Sequence, residues 1–296
     1  MVRTGPQPHG SVALKGETVG KILVTGAGGQ VGRCVVEQLR TVHADLRVSG
    51  RDPAALGADD AVYADLTRPE TLPAALAGVS KVFLYAVPEG IGAFLDAAAK
   101  AGVEQVVLLS SQTVVDAIPQ RRPIAEMHRV VEEAIAGSGI PYTFLRPENF
   151  ASNILMWGWT EMIRADGVLR FPYPESHSDA IHEADIAAVA VRALTEPGHE
   201  GRSYFLTGPA SITQREQLEI IGEAIGKPVR YEELTDAQAR EALRPIVPEW
   251  VMDAVVGYWA HTDGVPAPIT DEVLRITGAA PRSFKQWATD HAADFM

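Results

Sequence analysis

A single cysteine, Cys34, in 296 residues leaves no internal disulfide and no thiolate metal cluster to build on. It falls on the apolar side of the first helix, where a small buried hydrophobe is expected. Positive charge is also scarce, with 26 Lys and Arg against 38 Asp and Glu and a formal net charge of −12. That balance excludes a nucleic-acid footprint, which needs clustered cations. The basic doublet Arg121-Arg122 stands just before a proline, and a solvated loop is expected for it. No apolar run approaches a membrane span. Residues 1–19 lack an apolar core of the signal-peptide type and read as a flexible tail, so a cytoplasmic location is expected. Internal repeats and low-complexity tracts are absent. What remains is a chain with 46% hydrophobic content, enough to bury a full core.

The most informative stretch is residues 20–32, Gly-Lys-Ile-Leu-Val-Thr-Gly-Ala-Gly-Gly-Gln-Val-Gly. A short apolar strand runs into Thr25 and a glycine series, and then Val31, Cys34, Val35, Val36 and Leu39 recur at helical spacing. Gly26, Gly29 and Gly32 form G-x-x-G-x-x-G, with Gly28 inside the same turn. Glycines let the backbone turn sharply and approach a pyrophosphate, while the helix start offers unpaired amides to its charge. Thr25, Gly26, Gly28, Gly29, Gln30, Val31 and Gly32 are therefore candidate dinucleotide contacts. A second strand over residues 46–49 ends at Gly50-Arg51, where an acidic residue suits NAD and an arginine the 2′-phosphate of NADP. Arg51 favours NADP(H), and Arg33 adds a second positive charge. Asp52 leaves open a ribose carboxylate, with Arg51 merely solvated.

Strands and helices alternate through the first half: strands at 61–63, 82–86, 106–109 and 142–145, helices at 69–77, 92–100 and 123–136. The pattern predicts an α/β fold, a doubly wound parallel sheet whose ligands lie beyond the carboxyl ends of the strands. Asp65, Leu66, Ala86 and Val87 occupy such ends. So do Ser110 and Ser111, either of which could hydrogen-bond a substrate carbonyl or simply cap the strand. Farther along, residues 151–164 form an apolar, aromatic run, followed by a proline-rich loop around residues 171–174. Asp185 is expected to cap a helix through Leu194, and residues 203–206 to return as a strand. Thr213 with Glu216 makes a capping box for a helix to Ile225. A strand at 229–233, helices at 236–243 and 248–259, and a last helix capped by Thr270 towards Ile276 complete the reading.

Together, Thr-Gly-Ala-Gly-Gly-Gln-Val-Gly, Ser110-Ser111, Ser-Gly-Ile-Pro-Tyr-Thr-Phe-Leu-Arg-Pro-Glu-Asn-Phe (138–150), Ile-His-Glu-Ala-Asp-Ile-Ala (181–187), Tyr-Phe-Leu-Thr-Gly-Pro (204–209) and the closing Thr277-Gly278 with Pro281-Arg282-Ser283-Phe284 resemble atypical short-chain dehydrogenases/reductases of the NmrA-like, quinone-reductase-like group. The resemblance spans roughly residues 20–290. It implies a Rossmann-type core over residues 20–152, with 182–208 returning to it, a smaller C-terminal substrate-binding lobe from 153–181 and 209–296, and NADP(H) as cofactor. It also places backbone contacts to nicotinamide at Asn149 and Phe150, after Pro147, which fits equally well as plain loop chemistry.

One departure matters. The Tyr-x-x-x-Lys pair of typical members is replaced by Ile124 and His128, so the usual acid is missing. His128 at the lysine place is similar to the quinone-reductase-like branch. On a helix, Glu132 would lie one turn from His128 and raise its pKa; the alternative is a histidine at the edge of the stripe Met127, Val131 and Ile135. An acceptor forming a stabilised anion, such as a quinone or an aryl ketone of the polyketide type, needs no strong acid. A small aromatic substrate is thus expected against Phe150, Trp157 and Tyr173, with His128, Ser111 and Ser110 as the catalytic candidates. His177, Asp179, His182 and Asp185 do not read as a metal site. The chain is expected to act as a monomer or dimer without nucleic acid or membrane. The alternative from another class is a non-catalytic NADP(H) sensor, in which the space facing the nicotinamide would be filled.

Overall fold

Ile22, Leu23 and Val24 are all buried, and β1 (Lys21–Val24) accordingly sits inside a parallel sheet that is covered on both faces. The computed structural model describes residues 20–115 and 118–296, so the tail expected over residues 1–19 lies outside them. After β1 come α1 (Gln30–Thr41), β2 (Leu46–Gly50), β3 (Ala61–Tyr63), α2 (Leu72–Leu76), β4 (Val79–Tyr85), α3 (Ile91–Ala101), β5 (Gln105–Leu109), α4 (Arg122–Gly137) and β6 (Tyr142–Pro147). The chain then departs through α5 (Asn153–Met156), α6 (Trp159–Asp166), β7 (Val168–Phe171) and β8 (His177–Ser178), and returns by α7 (Glu183–Thr195) and β9 (Arg202–Leu206). Last are β10 (Ile212–Thr213), α8 (Gln214–Ile225), β11 (Arg230–Glu233), α9 (Asp236–Leu243), α10 (Glu249–Thr262), α11 (Glu272–Thr277) and α12 (Phe284–Asp290).

Seven parallel strands run in the order β3-β2-β1-β4-β5-β6-β9, the doubly wound Rossmann-type arrangement. The winding direction reverses between β1 and β4, and that switch point opens a crevice at the strands' carboxyl ends. One sheet face buries α1 and α7, with Val31, Val35, Leu39, Ile186, Val189 and Leu194 against Val24 and Leu145. The other buries α2, α3 and α4, with Leu76, Phe94, Val131 and Ile135 against Leu84 and Leu108. A third core, around Trp159, Phe171, Ile221, Trp259 and Trp287, belongs to the later segments. Burial pushes the Cys34 thiol up to about 11, as suits an inert packed side chain.

Several elements differ from what local signals imply. The N-cap of α7 is His182, whose Nδ1 accepts the Ala184 amide at 3.1 Å. Asp185 instead takes the Arg282 backbone amide at 2.6 Å and its guanidinium. Thr270 donates to the Phe205 carbonyl at 2.7 Å, joining β9 to the segment before α11, and the helix begins at Glu272. Residues 168–171 are a strand paired with β11, where a loop was expected around residue 171. The run 151–164 is two helices, because Gly158 adopts φ 78° between them. Helix α12 has no counterpart among the expected elements, although Ser283 caps it through the Gln286 amide at 3.2 Å.

This last helix is anchored by buried charge. The Glu183 carboxylate accepts from His291 Nε2 at 2.7 Å and from Trp287 Nε1 at 3.1 Å, and His291 Nδ1 lies 2.9 Å from Asp294. Its hydrogen bond with Glu183 raises the His291 pKa above its ordinary 6.5, against the opposing effect of burial. Burial alone would raise the Glu183 pKa, but the bond from His291 and the nearby imidazoles bring it below 4.5. A raised histidine contributes stability in full below 6.5 and loses it as pH rises through the folded value. A lowered carboxylate contributes above 4.5 and loses it as pH falls through its folded value. The anchor is therefore strongest between 4.5 and 6.5. The melting temperature should fall more steeply in the wild type than in His291→Gln as the buffer is raised from pH 6.5 into the alkaline range; parallel curves would remove this pair from the linkage.

Candidate active site

The glycine turn follows from steric necessity. Gly26 adopts φ 60°, its carbonyl accepts the Gly29 amide at 2.9 Å, and α1 starts immediately after. A Cβ at Gly32 would lie 2.2 Å from the Gly26 carbonyl oxygen, so helix and turn pack with no room for a side chain. No side chain caps α1, and its first turn holds no acidic residue, leaving the amides at Gln30 and Val31 available to an external anion. These features fit a pyrophosphate. Thr25 differs from the rest of the expected set: its hydroxyl donates to the Phe83 carbonyl and accepts the Tyr85 amide, both at 3.0 Å, tying β1 to β4. Arg33 lies near the surface and donates to Gln30 at 3.1 Å.

Arg51 is exposed just past β2. Asp65, past β3, accepts the Thr67 hydroxyl at 2.7 Å and the Thr67 amide at 2.9 Å, which hold its carboxyl below the usual range. The positive charge of Arg51 contributes in the same direction. Leu66 is buried, and its carbonyl meets Gly90 so closely that a Cβ there would stand 1.8 Å from the oxygen. Ala86 and Val87 follow β4, and Ala86 borders the cavity described next.

Beyond β4, β5 and β6 a cavity of about 280 Å³ opens, bordered by Ser110, Ser111, His128, Asn149, Phe150 and Trp157 among others. The two serines have different chemistry. Ser110 donates to the buried Glu132 carboxylate at 2.6 Å, so toward the cavity it presents lone pairs. Ser111 Oγ accepts the Thr113 amide at 3.2 Å and the Thr113 hydroxyl at 3.0 Å, which leaves its own proton free to donate. Glu132 also receives Arg146 through Nε at 2.9 Å and Nη2 at 2.6 Å. It does not hold His128. Burial lowers the His128 pKa, only partly offset by the charge of Glu132, and Nδ1 has no hydrogen-bond partner among the described residues. The expected rise toward neutrality is thus reversed, because the carboxylate is turned to Ser110 and Arg146 and the imidazole is desolvated.

Pairing with Ile181 holds Asn149 and Phe150 in place: the Ile181 amide donates to the Asn149 carbonyl and the Ala151 amide to the Ile181 carbonyl, both at 2.8 Å. Trp157 meets Trp259 edge to face, with centroids 5.0 Å apart, and Phe171 packs 4.6 Å from Trp259. The two tryptophans give the cavity an aromatic wall, with Phe171 packed behind it. Tyr173 is not part of it. With φ 54° it borders a separate outer hollow beside Asp236, Arg240 and the exposed Trp250.

Arg121, expected in a solvated loop, is buried in the cavity wall instead. It forms an ion pair with the equally secluded Glu148, and its guanidinium lies 4.5 Å from the Tyr258 ring centroid. Asn149 Nδ2 donates to Tyr258 Oη at 2.7 Å and to Asp179 Oδ1 at 2.9 Å. Burial foremost, and then the charge of Glu148, push Asp179 up to about 8, so this carboxyl is largely neutral near pH 7. Sequence reasoning missed Arg121, Glu148, Asp179 and Tyr258 as members of one cluster. Glu148 did stand inside the quoted 138–150 stretch; nothing in the chain announced its partner. The four residues considered and rejected as a metal site are engaged separately, His177 with Ser211 at 3.0 Å, Asp179 with Asn149, His182 with Ala184, and Asp185 with Arg282.

A model of the NAD(P)H-binding family matches residues 26–197. The (4-alkanoyl-5-oxo-2,5-dihydrofuran-3-yl)methyl phosphate reductase of Streptomyces griseus subsp. griseus is 37% identical over 289 residues, 93% of this chain and 99% of that protein. The NAD(P)H azoreductase of Xenophilus azovorans is 36% identical over 292 residues, with the same two coverages of 93% and 99%. Among solved structures, the NADPH-dependent quinone oxidoreductase of Escherichia coli complexed with NADPH superimposes with a TM-score of 0.77 at 26% identity, over 91% of this chain and 99% of that one.

Proposed function

Since the chain belongs to the NAD(P)H-binding family and is an NADP(H)-dependent oxidoreductase of the atypical short-chain dehydrogenase/reductase group, we propose that it reduces an uncharged, conjugated aromatic acceptor, either a quinone or an aryl ketone. One observation carries this reading: the aromatic cavity beyond β4, β5 and β6 is bordered by a cation, Arg121, already balanced by Glu148. An anionic substrate would have to displace that carboxylate from a buried pair, at a cost of several kcal/mol by ~3–5 kcal/mol precedent for breaking such pairs. A neutral planar ring leaves the pair intact. The relatives include a methyl phosphate reductase, an azoreductase and a quinone oxidoreductase, and the paired Arg121 favours acceptors of the last two kinds over a phosphate ester.

In this reading the start of α1 holds the pyrophosphate, and Arg51 the 2′-phosphate. Bound NADPH supplies a hydride to the acceptor. Ser110 offers lone pairs to an amide donor, Ser111 offers a proton to a carbonyl oxygen, and His128 sits over the same space as a neutral imidazole. Trp157 and Trp259, packed edge to face, form one wall for the ring to lie against and keep water from that side. A pure sensor needs no such hollow, so the open cavity supports turnover.

The direct test is oxidation of NADPH, followed by loss of its absorbance, across naphthoquinones and hydroxylated aryl ketones. Tight NADPH binding with no oxidation by any of them would sink the proposed substrate class. Arg51 provides a second check. Arg51→Ala should weaken NADPH by about 10- to 100-fold, the worth of a charged hydrogen bond, while NADH changes little. Equal losses for the two coenzymes would take Arg51 away from the 2′-phosphate.

A further inference from the structure

Ile124 occupies the place of the missing tyrosine, yet a tyrosine reaches the same cavity from the other side. Tyr258 lies on α10, is 7% exposed, and borders the cavity together with Ser111, His128 and Asn149. Its oxygen accepts a hydrogen bond from Asn149 Nδ2 at 2.7 Å, and no described residue accepts the phenol's proton. That proton is left for whatever occupies the cavity.

We propose that Tyr258 is the proton donor of this reductase, its hydroxyl contacting the acceptor oxygen that becomes anionic during reduction. The inference rests on the reductase reading above. When the acceptor carbon takes the hydride, the C=O π pair moves to oxygen. The Tyr258 O–H bond then breaks, a new O–H bond forms on the product, and a phenolate remains. Asn149 donates to that phenolate, and the guanidinium of the Arg121–Glu148 pair lies 4.5 Å from the ring centroid. After the product leaves, water returns the proton.

The other candidates fit less well. The proton of Ser110 is directed to Glu132. The serine hydroxyl of Ser111 is a far weaker acid than a phenol and serves as a hydrogen-bond donor only. His128, its pKa lowered by burial, is neutral near pH 7. Burial foremost, and then the charges of Glu148 and Asp179, raise the Tyr258 pKa against the lowering effects of Arg121 and the Asn149 hydrogen bond, so the phenol stays protonated before reaction.

Acceptors with different proton demand provide the test. A naphthoquinone such as menadione yields a stabilised hydroquinone anion, whereas 1-tetralone yields a strongly basic alkoxide. Wild type and Tyr258→Phe are compared for kcat/KM on both, with NADPH affinity read by fluorescence titration. The expected result is unchanged NADPH affinity, a loss of about 100-fold on tetralone and a much smaller loss on menadione. Equal losses on both, or none, would overturn the proposal, since damaged packing would lower the two rates together. A wild type that reduces menadione but not tetralone would overturn it as well, there being no acid at work. A wild type that fails to bind NADPH, or binds it and reduces neither, would remove the reductase reading itself and this proposal with it.

Discussion

Gly32→Ala should lower NADPH affinity by more than about 100-fold, equivalent to ~2.7 kcal/mol or more of binding free energy. The added Cβ would stand 2.2 Å from the Gly26 carbonyl oxygen and 2.9 Å from its carbon. Neither is a flexible side-chain end, so α1 must move away from the turn proposed to hold the pyrophosphate. Gly137→Ala, at the end of α4 and outside the glycine turn, is the matched control, because its Cβ would meet nothing within 4 Å. Calorimetric titration of both variants, with thermal melts to confirm folding, tests the idea. A folded Gly32→Ala protein that binds NADPH like the wild type would mean the coenzyme does not rest on this turn.

Glu132→Ala should destabilise the protein by about 3–5 kcal/mol, the usual consequence of removing one member of a buried ion pair. Its carboxylate is 6% exposed and takes three hydrogen bonds, from Ser110 and from two nitrogens of Arg146. Without it the Arg146 guanidinium, only 19% exposed, loses its counter-charge beneath the end of β6. Glu132→Gln keeps the shape and one acceptor, and should lose less. Chemical denaturation reports the difference. A change under about 1 kcal/mol for the alanine variant would indicate that the pair behaves like a surface contact. The glutamine variant also reads the site: with Ser110 no longer held by a carboxylate, its hydroxyl proton is freed to turn toward the cavity.

Much of this molecule was legible in its chain because the relevant signals act over a few residues. The glycine turn is a local steric demand, the alternating strands and helices are local periodicities, and the Thr213–Glu216 capping box closes within one helical turn. These determined the doubly wound sheet, the glycine turn at the start of α1, and the position of Ser110-Ser111 at a strand end. Even Ile124 and His128 were found by counting along one segment. Where local rules failed, a distant partner had claimed the residue: Arg282 took Asp185 from its expected capping role, and Phe205 took Thr270.

Tertiary structure alone decided which polar groups meet. Arg121 left its expected surface for Glu148, Glu132 faced Ser110 and Arg146 and not His128, and Asn149 reached Tyr258 across 109 residues of chain. Tyr173 went to an outer hollow while Trp157 and Trp259 closed the inner one. Hydrophobic periodicity tells each helix which face to bury, but not the rotation and offset at which two faces finally dock. Those few ångströms decide whether a charged or hydrogen-bonding side chain finds a partner, and they depend on the packing of every element at once.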